Sequence, residues 1–463
     1  MSSAKRPVVV IGAGPVGLAA AAHLLEQGEE PLVLEQGSEI AANVRQWQHV
    51  RFFSPWKYVV DDASARLLEP TGWLAPDGDL HPTGADILSS YLTPLAALPE
   101  IANRVRLGHK VVAVGREGFD KTLTPGRNSA PYRVTFDTAD GEQDSVLAKA
   151  VIDASGTWTA PNPLGGSGVP AVGEGAARDR IAYGIPDVLD RERSRYAGKR
   201  VLVVGSGHSA FNVLLDLATL IEETGEGSLV WAVRRSGRRL EQAFGGGDSD
   251  GLPARGQLGL RVRELVDAGR LQLVSGFKAA RVEETADGLV VSSRDQALPP
   301  VDEVIVSTGF RPDLSIMREV RVDLDPALEA PRRLAPMIDP NVHSCGSVPP
   351  HGADELKHPD PDFYIAGMKS YGRAPTFLLL TGYEQVRSIA CAITGNWAAA
   401  REVKLVLPET GVCSTDLGEA GGSCCGTADI SAESSDVRIG GCCDDSPAGC
   451  CTTTPQLITL TRR

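Results

Sequence analysis

The chain has 463 residues, 42% of them hydrophobic, and its 46 Lys and Arg against 59 Asp and Glu leave a formal charge of −13. That length supports two or three domains with substantial cores, and the acidic balance without a long basic patch argues against nucleic acid as a partner. No apolar run approaches the ~18 residues of a membrane-spanning helix, and the apolar N-terminus is not followed by a convincing cleavage site, so the expectation is a cytoplasmic protein with no membrane partner.

In chain order, Val8 to Ile11 reads as a strand buried on both faces, followed by Gly12, Gly14 and Gly17 in the Gly-x-Gly-x-x-Gly spacing. That spacing allows a tight turn into a helix, close approach of backbone to a pyrophosphate, and close helix-strand packing. The helix, Leu18 to Gln27, offers its N-terminal N–H groups to phosphate. A second strand, Leu32 to Leu34, ends in Glu35, placed to hold a ribose hydroxyl pair. Gln36 to Asp61 is loop-rich, with Arg45, Trp47, His49, Arg51, Ser54 and Trp56. It either caps the first domain or covers a cofactor ring, Arg45 and Ser54 then donating hydrogen bonds.

Pro82 to Leu98 reads as a helix with Thr83 as N-cap. Strands are expected at Val111 to Val114, Tyr132 to Phe136 and Leu147 to Ile152, the last running into Asp153-Ala-Ser-Gly156. Gly165 to Ala177 reads as a linker. Val201 to Val204, Gly205 and Gly207, a helix from Ser209 to Ile221 and a strand from Leu229 to Val233 then repeat the first device. Two dinucleotide sites mean two nucleotides, and the usual pair is a flavin with the nicotinamide that reduces it. Arg234 and Arg235 end this unit, where guanidinium groups suit a 2′-phosphate, so NADPH is expected over NADH.

Phe244 to Gly251 reads as a mobile surface loop and Leu258 to Ala268 as a helix. Strands follow at Leu271 to Val274 and Leu289 to Ser292, then the Val304 to Pro312 segment. The chain is then expected to return to the first domain through a strand and turn at Phe363 to Met368 and a helix from Thr381 to Ile393, with Gly382 near its start. His49, His343, His351 and His358 read as surface or loop residues and Cys391 as a packed helix residue.

Beyond Val412 the composition turns to Ser, Gly, Thr, Ala and Asp, which cannot bury enough apolar surface to order itself. Seven of the nine cysteines lie there: Cys413 and the vicinal pairs Cys424-Cys425, Cys442-Cys443 and Cys450-Cys451. Paired thiolates on a flexible chain suit soft ions such as trivalent arsenic. The spacing does not match zinc knuckles. Redox relay and drift without function are the competing readings.

Together the two Gly-rich motifs, Asp153-Ala-Ser-Gly156, Ser307-Thr-Gly309 and the stretch from Gly367 to Glu384-Gln-Val-Arg387 resemble the class B flavin-dependent monooxygenases over residues 7 to 400. Ala41, Ala42 and Val44 stand where that family has two glycines and a Trp. Tyr183-Gly-Ile-Pro-Asp187 replaces its Phe-x-Gly-x-x-x-His run. Phe53-Ser-Pro-Trp56, Asn341 to Gly346, Gly367 to Thr376 and Pro408 to Cys413 are similar to the flavin monooxygenase-like family of actinobacterial arsenic-resistance clusters.

The expectation is an α/β, two-dinucleotide-binding-domain flavoprotein with two Rossmann-type domains and a disordered Cys-rich tail. Residues 1–165 would begin the FAD-binding domain and 320–411 complete it, with the NADP-binding domain and its linker at 166–319 and the tail at 412–463. The cofactors would be FAD and NADPH, bound through Gly12, Gly14, Gly17, Glu35, Arg45, Val111, Ser155, Gly156, Gly205, Gly207, Ser209, Arg234, Arg235, Gly309, Gly367 and Gly382. Arg45, Ser54, Tyr371 and Arg373 would line the reacting centre, and the seven tail cysteines would take metalloid. The resemblance implies a monooxygenase acting on a small soft nucleophile such as trivalent arsenic. A thioredoxin-reductase-like disulfide or metal reductase and a non-catalytic metalloid-binding protein remain the alternatives, and the sequence does not give the oligomeric state.

Overall fold

A computed structural model describes residues 6–237, 240, 241, 244, 253–342, 348–375 and 377–405. The four aliphatic residues Val8–Ile11 form the middle strand of a five-stranded parallel sheet. Each is buried, a gain of roughly 1.5–3 kcal/mol per aliphatic side chain. The strand order is Phe363–Ile365, Ala150–Asp153, Val8–Ile11, Pro31–Leu34, Val105–Arg106. Val10 registers against Val33 on one side and Ile152 on the other.

Gly12 ends the first strand at φ +97°, and the helix Pro15–Glu26 starts with proline, whose missing N–H costs nothing there. Ala19 to Ala22 are fully buried on that helix, and their small side chains let it lie close to its neighbours. One neighbour is the helix Leu379–Ile393, where a Cβ on Gly382 would meet Val16 Cγ2 at 2.7 Å. The stretch after residue 360 thus supplies both an edge strand and a helix to the first sheet.

An antiparallel meander, Lys110–Arg116, Tyr132–Asp137 and Gln143–Ala148, packs Val111, Val134 and Ala148 into one cluster with Val9 and Ile11. The sequence suggested a single strand at Leu147 to Ile152. Two are present, and they belong to different sheets: Lys149 separates them, its N–H bonded to Pro7 O. An unbroken apolar run conceals such a change of partner.

The second parallel sheet has the order Gln272–Val274, Ser228–Ala232, Arg200–Val204, Glu303–Val306, Ile181–Tyr183. The helix His208–Thr224 follows its middle strand and ends at Gly225 in the left-handed conformation, the usual glycine stop. Gly165 to Ala177 is more organised than a plain linker. Glu174 accepts from Leu164 N at 2.9 Å, Ala171 N at 2.6 Å and Tyr183 Oη at 2.7 Å, while Leu164, Ala171 and Ala177 enter the core of this second body. Phe244 is buried; residues 245–252, most of the expected surface loop, lie outside the described residues, as do His343, Cys345 and the whole tail with its seven cysteines.

Two connections join the bodies and are zipped to each other. Pro161 and Phe310 form an antiparallel bridge, Asn162 N donates to Gly309 O and Arg311 N to Ala160 O, both at 2.9 Å.

Candidate dinucleotide and substrate site

Each Gly-rich loop puts its glycines to separate uses. In the first, a Cβ on Gly17 would sit 1.9 Å from Gly12 O, so helix and strand touch there; on Gly14 it would meet nothing within 4 Å. In the second, a Cβ on Gly205 would lie 2.2 Å from Ser307 O, whereas Gly207 again faces open space. A phosphate approaching closely needs both the open glycine and the helix amide end behind it, and both loops supply them. The residues present therefore fit two dinucleotides.

The first cleft runs along the carboxyl ends of the first sheet. Its outer part, about 600 Å³, is lined by Glu35, His109, Val111, Ser155, Gly156 and Lys369, among others. Its inner part, about 1260 Å³, shares Gly12, Glu35, Ser155 and Gly156 and continues past Gly14 and Gly367 to an apolar wall of Trp47, Phe52, Trp158, Phe310 and Phe377. Glu35 is buried, taking Ala13 N on Oε2 at 2.7 Å and Gly37 N on Oε1 at 2.9 Å. Each oxygen keeps a lone pair for a ribose hydroxyl.

The second cleft, about 1320 Å³, gathers Gly205, Gly207, Ser209, Arg234, Arg235 and Gly309, and Arg373 as well. Arg234 Nη1 donates to Gly166 O at 3.1 Å, which aims one of the two arginines.

The residues expected at the reacting centre are placed differently from one another. Arg45 is turned to Glu39, Nε 2.7 Å from Oε2 at an angle too poor for a hydrogen bond, and lines neither cleft. From that short helix, Ala42–Gln46, it is Ala42, Asn43 and Val44 that face the cleft. Ser54 is buried and Tyr371 lies under the cleft floor, its ring 5.1 Å from Phe377 and 5.7 Å from His351. Burial pushes the Tyr371 phenol up and keeps it neutral. Arg373 belongs to the second cleft.

Sequence reasoning passed over three features: Lys369, Gln385 and an aromatic stack. Lys369 stands inside the first cleft, held by Asp153 and Ser155. Gln385 accepts from Gly367 N at 2.8 Å and reaches Ser370 Oγ and His351 Nε2 at 2.9 Å, which fixes the glycine turn. His351 and His358, expected as surface or loop residues, lie in loops and are buried there, and burial lowers both pKa values, His358 to about 4. The third feature is the Trp158–Phe310 stack, rings 4.7 Å apart, formed by the two interdomain connections themselves. Gly184, in the segment that replaces the family's Phe-x-Gly-x-x-x-His run, packs against both: its Cβ would lie 3.1 Å from Trp158 and 3.4 Å from Phe310. A separated aromatic pair of this kind leaves no local pattern.

A family model described as NAD(P)-binding Rossmann-like domain matches residues 10–73, and one described as L-lysine 6-monooxygenase/L-ornithine 5-monooxygenase matches 94–242. Among solved structures, bacillithiol disulfide reductase Bdr (YpdA) from Bacillus cereus aligns with TM-score 0.62 at 19% identity, covering 84% of this chain and 99% of that one. DfoA, the desferrioxamine pathway cadaverine monooxygenase of Erwinia amylovora, bound to FAD, aligns with TM-score 0.59 at 14% identity over 90% of this chain and 100% of that one. The fold is that of a two-dinucleotide-binding flavoprotein.

The cofactors that go with this flavoprotein fold are FAD and a nicotinamide dinucleotide. In sequence the chain is similar to flavin-containing monooxygenases over a little under half of its length. Flavin-containing monooxygenase FMO GS-OX-like 2 of Arabidopsis thaliana is 26% identical over 239 residues, 47% of this chain and 48% of that protein. The chain thus spans about half the length of the curated relatives it matches. Among the described residues no helix is long and apolar enough to cross a membrane.

Proposed function

We propose that this flavoprotein is an NADPH-dependent monooxygenase acting on a small, uncharged, soft nucleophile. The observation that carries the reading is the inner cleft: of its lining side chains only Glu35 is ionisable, and both Glu35 oxygens already hold backbone N–H groups. Beyond the dinucleotide loop, Asn43 and Thr157 apart, the wall is built mainly of Trp47, Phe52, Trp158, Phe310 and Phe377, apolar surface that disfavours a charged substrate. FAD would supply electron transfer and oxygen chemistry when bound. Gly12, Gly14, Glu35, Val111, Ser155, Gly156 and Gly367 would hold it, Gly17 and Gly382 instead letting the helices pack closely behind the cleft, and Gly205, Gly207, Ser209, Arg234, Arg235 and Gly309 would hold NADPH. The protein's own part is to orient the two and to wall the reacting edge with Trp47, Trp158 and Phe310.

Trivalent arsenic is the substrate we favour, in a cytoplasmic arsenic-resistance setting. It is neutral as arsenous acid at neutral pH and soft, and the vicinal tail cysteines suit its capture. A disulfide reductase would use a pair of thiols at the flavin. The one cysteine among the described residues, Cys391, is buried in the helix Leu379–Ile393 and lines neither dinucleotide cleft, and its thiol is pushed up by burial.

The deciding experiment is oxygen uptake by the FAD-loaded full chain with NADPH, with and without a trivalent arsenical. Stimulated uptake with one pentavalent arsenic formed per NADPH is the expected result. Uptake indifferent to arsenic, with only peroxide released, removes the arsenical. Anaerobic turnover with a disulfide acceptor removes the monooxygenase reading.

A further inference from the structure

We infer that Arg373 is a phosphate-binding residue of the nicotinamide cleft, contributed by the flavin-binding body and aimed by Glu329. The inference rests on the proposed NADPH-dependent reading. It assigns Arg373 to the dinucleotide, away from the flavin where the sequence suggested it.

Arg373 follows the turn Gly367–Tyr371, which belongs to the first body, yet it lines the same cleft as Gly205, Gly207, Arg234 and Arg235. That cleft holds three arginines and, among its lining residues, no aspartate or glutamate. In a chain of net charge −13 such a concentration of positive charge marks an anion site, and guanidinium groups suit the phosphates of a dinucleotide.

The side chain is not free to wander. Glu329 receives Arg373 Nε at 2.7 Å and Nη2 at 3.0 Å, a two-pronged pair. Two features of the backbone keep the pair in place. Glu329 is a non-glycine residue at φ +57°, a conformation that persists only when its surroundings impose it. Gly372 is left-handed, and a Cβ there would fall 2.0 Å from Leu328 O, so no other residue fits the turn; Arg373 N then bonds to Leu328 O at 2.7 Å. An exposed ion pair alone adds little to stability, so a strained turn that presents it is better explained by what the arginine meets. The Nη1 edge, which no contact with Glu329 uses, remains for a phosphate oxygen.

The test measures binding of oxidised NADP+ and, in parallel, NAD+ to the FAD-loaded full chain by calorimetry, at low and high salt. For Arg373→Ala we expect Kd for NADP+ to rise ten- to a hundredfold, with a shallower salt dependence, an unchanged flavin spectrum, and partial recovery in Arg373→Lys. Glu329→Gln should raise Kd three- to tenfold and raise KM for NADPH while leaving kcat near the wild-type value, as expected of a positioning residue. Weakening of both dinucleotides in Arg373→Ala puts the side chain on the pyrophosphate; weakening of NADP+ alone puts it on the 2′-phosphate. Equal affinity of wild type and Arg373→Ala for both dinucleotides overturns the inference and leaves the proposed function standing. A wild-type chain that binds neither overturns both.

Discussion

Lys369 Nζ lies 2.7 Å from Asp153 Oδ2, with the two side chains 2% and 0% exposed. Asp153 ends the strand that registers against Ile11, and Ser155 Oγ donates to its other oxygen at 2.6 Å while accepting from Lys369 at 3.0 Å. The three groups close a polar triangle beside the first cleft. Removing one ion of a buried pair strands the other, so Lys369→Met should cost about 3–5 kcal/mol. Lys369→Met combined with Asp153→Leu should cost less than the two single changes together. Urea unfolding of the three variants checks this; additive losses would mean that the pair is not coupled.

What the sequence made legible follows from where physical constraints are local. Val8–Ile11 and Gly12, Gly14 and Gly17 announce a strand, a turn and a helix, because the turn geometry and the phosphate approach depend on neighbouring residues. The Thr83 cap is equally local, and the structure shows it as a reciprocal pair with Asp86. Lys369 was not legible, because its partner is 216 residues away. Neither were the edge strand Ile181–Tyr183, set by Glu303–Val306 far downstream, nor the Trp158–Phe310 stack. Arg45 shows the opposite failure: the motif spacing placed it near a flavin, but the side-chain direction was decided by Glu39.

Ala41 occupies a left-handed conformation, φ 52° and ψ 36°, where the class B monooxygenases that the sequence resembles have glycine. That costs an alanine roughly 1–2 kcal/mol. Glycine would remove the strain but forfeit a buried methyl, about 0.8 kcal/mol, and pay roughly 0.5–1 kcal/mol in unfolded-state entropy. The terms nearly cancel, so Ala41→Gly should change stability by less than about 0.5 kcal/mol. Ala41→Val, β-branched and buried, should lose about 2–3 kcal/mol. Thermal unfolding of the pair measures it, and a neutral valine would show that the backbone is not imposed.

His358 accepts from Asp323 N on Nδ1 at 3.2 Å, and its Nε2 is buried without a partner, so the ring carries its single proton there and resists a second. Burial holds its pKa at about 4, against an ordinary value of 6.5. A depressed histidine leaves the folded state intact above pH 6.5. As pH falls from 6.5 towards 4, the unfolded chain gains a proton that the folded one refuses, and stability is lost at about 1.4 kcal/mol per pH unit. The total is about 3 kcal/mol. His358→Asn keeps an acceptor for Asp323 N and should flatten the acid limb of a stability-against-pH curve; an unaltered slope would assign the loss to other groups, His351 first, since its pKa is also lowered by burial.

Arg234 and Arg235 follow the strand Ser228–Ala232, at the position where Glu35 follows the second strand of the first sheet. An acidic side chain there suits ribose hydroxyls and repels a 2′-phosphate; guanidinium groups do the reverse. A charge-assisted hydrogen bond contributes about 1.5–3 kcal/mol, so Arg234→Ala with Arg235→Ala should raise KM for NADPH about ten- to a hundredfold while leaving KM for NADH within about twofold. The effect belongs to binding, so kcat at saturating NADPH should change little. Steady-state kinetics with both nucleotides decides it. Should the NADPH to NADH preference survive the double change, the 2′-phosphate lies elsewhere in the cleft, and Arg373 becomes the residue to examine for it.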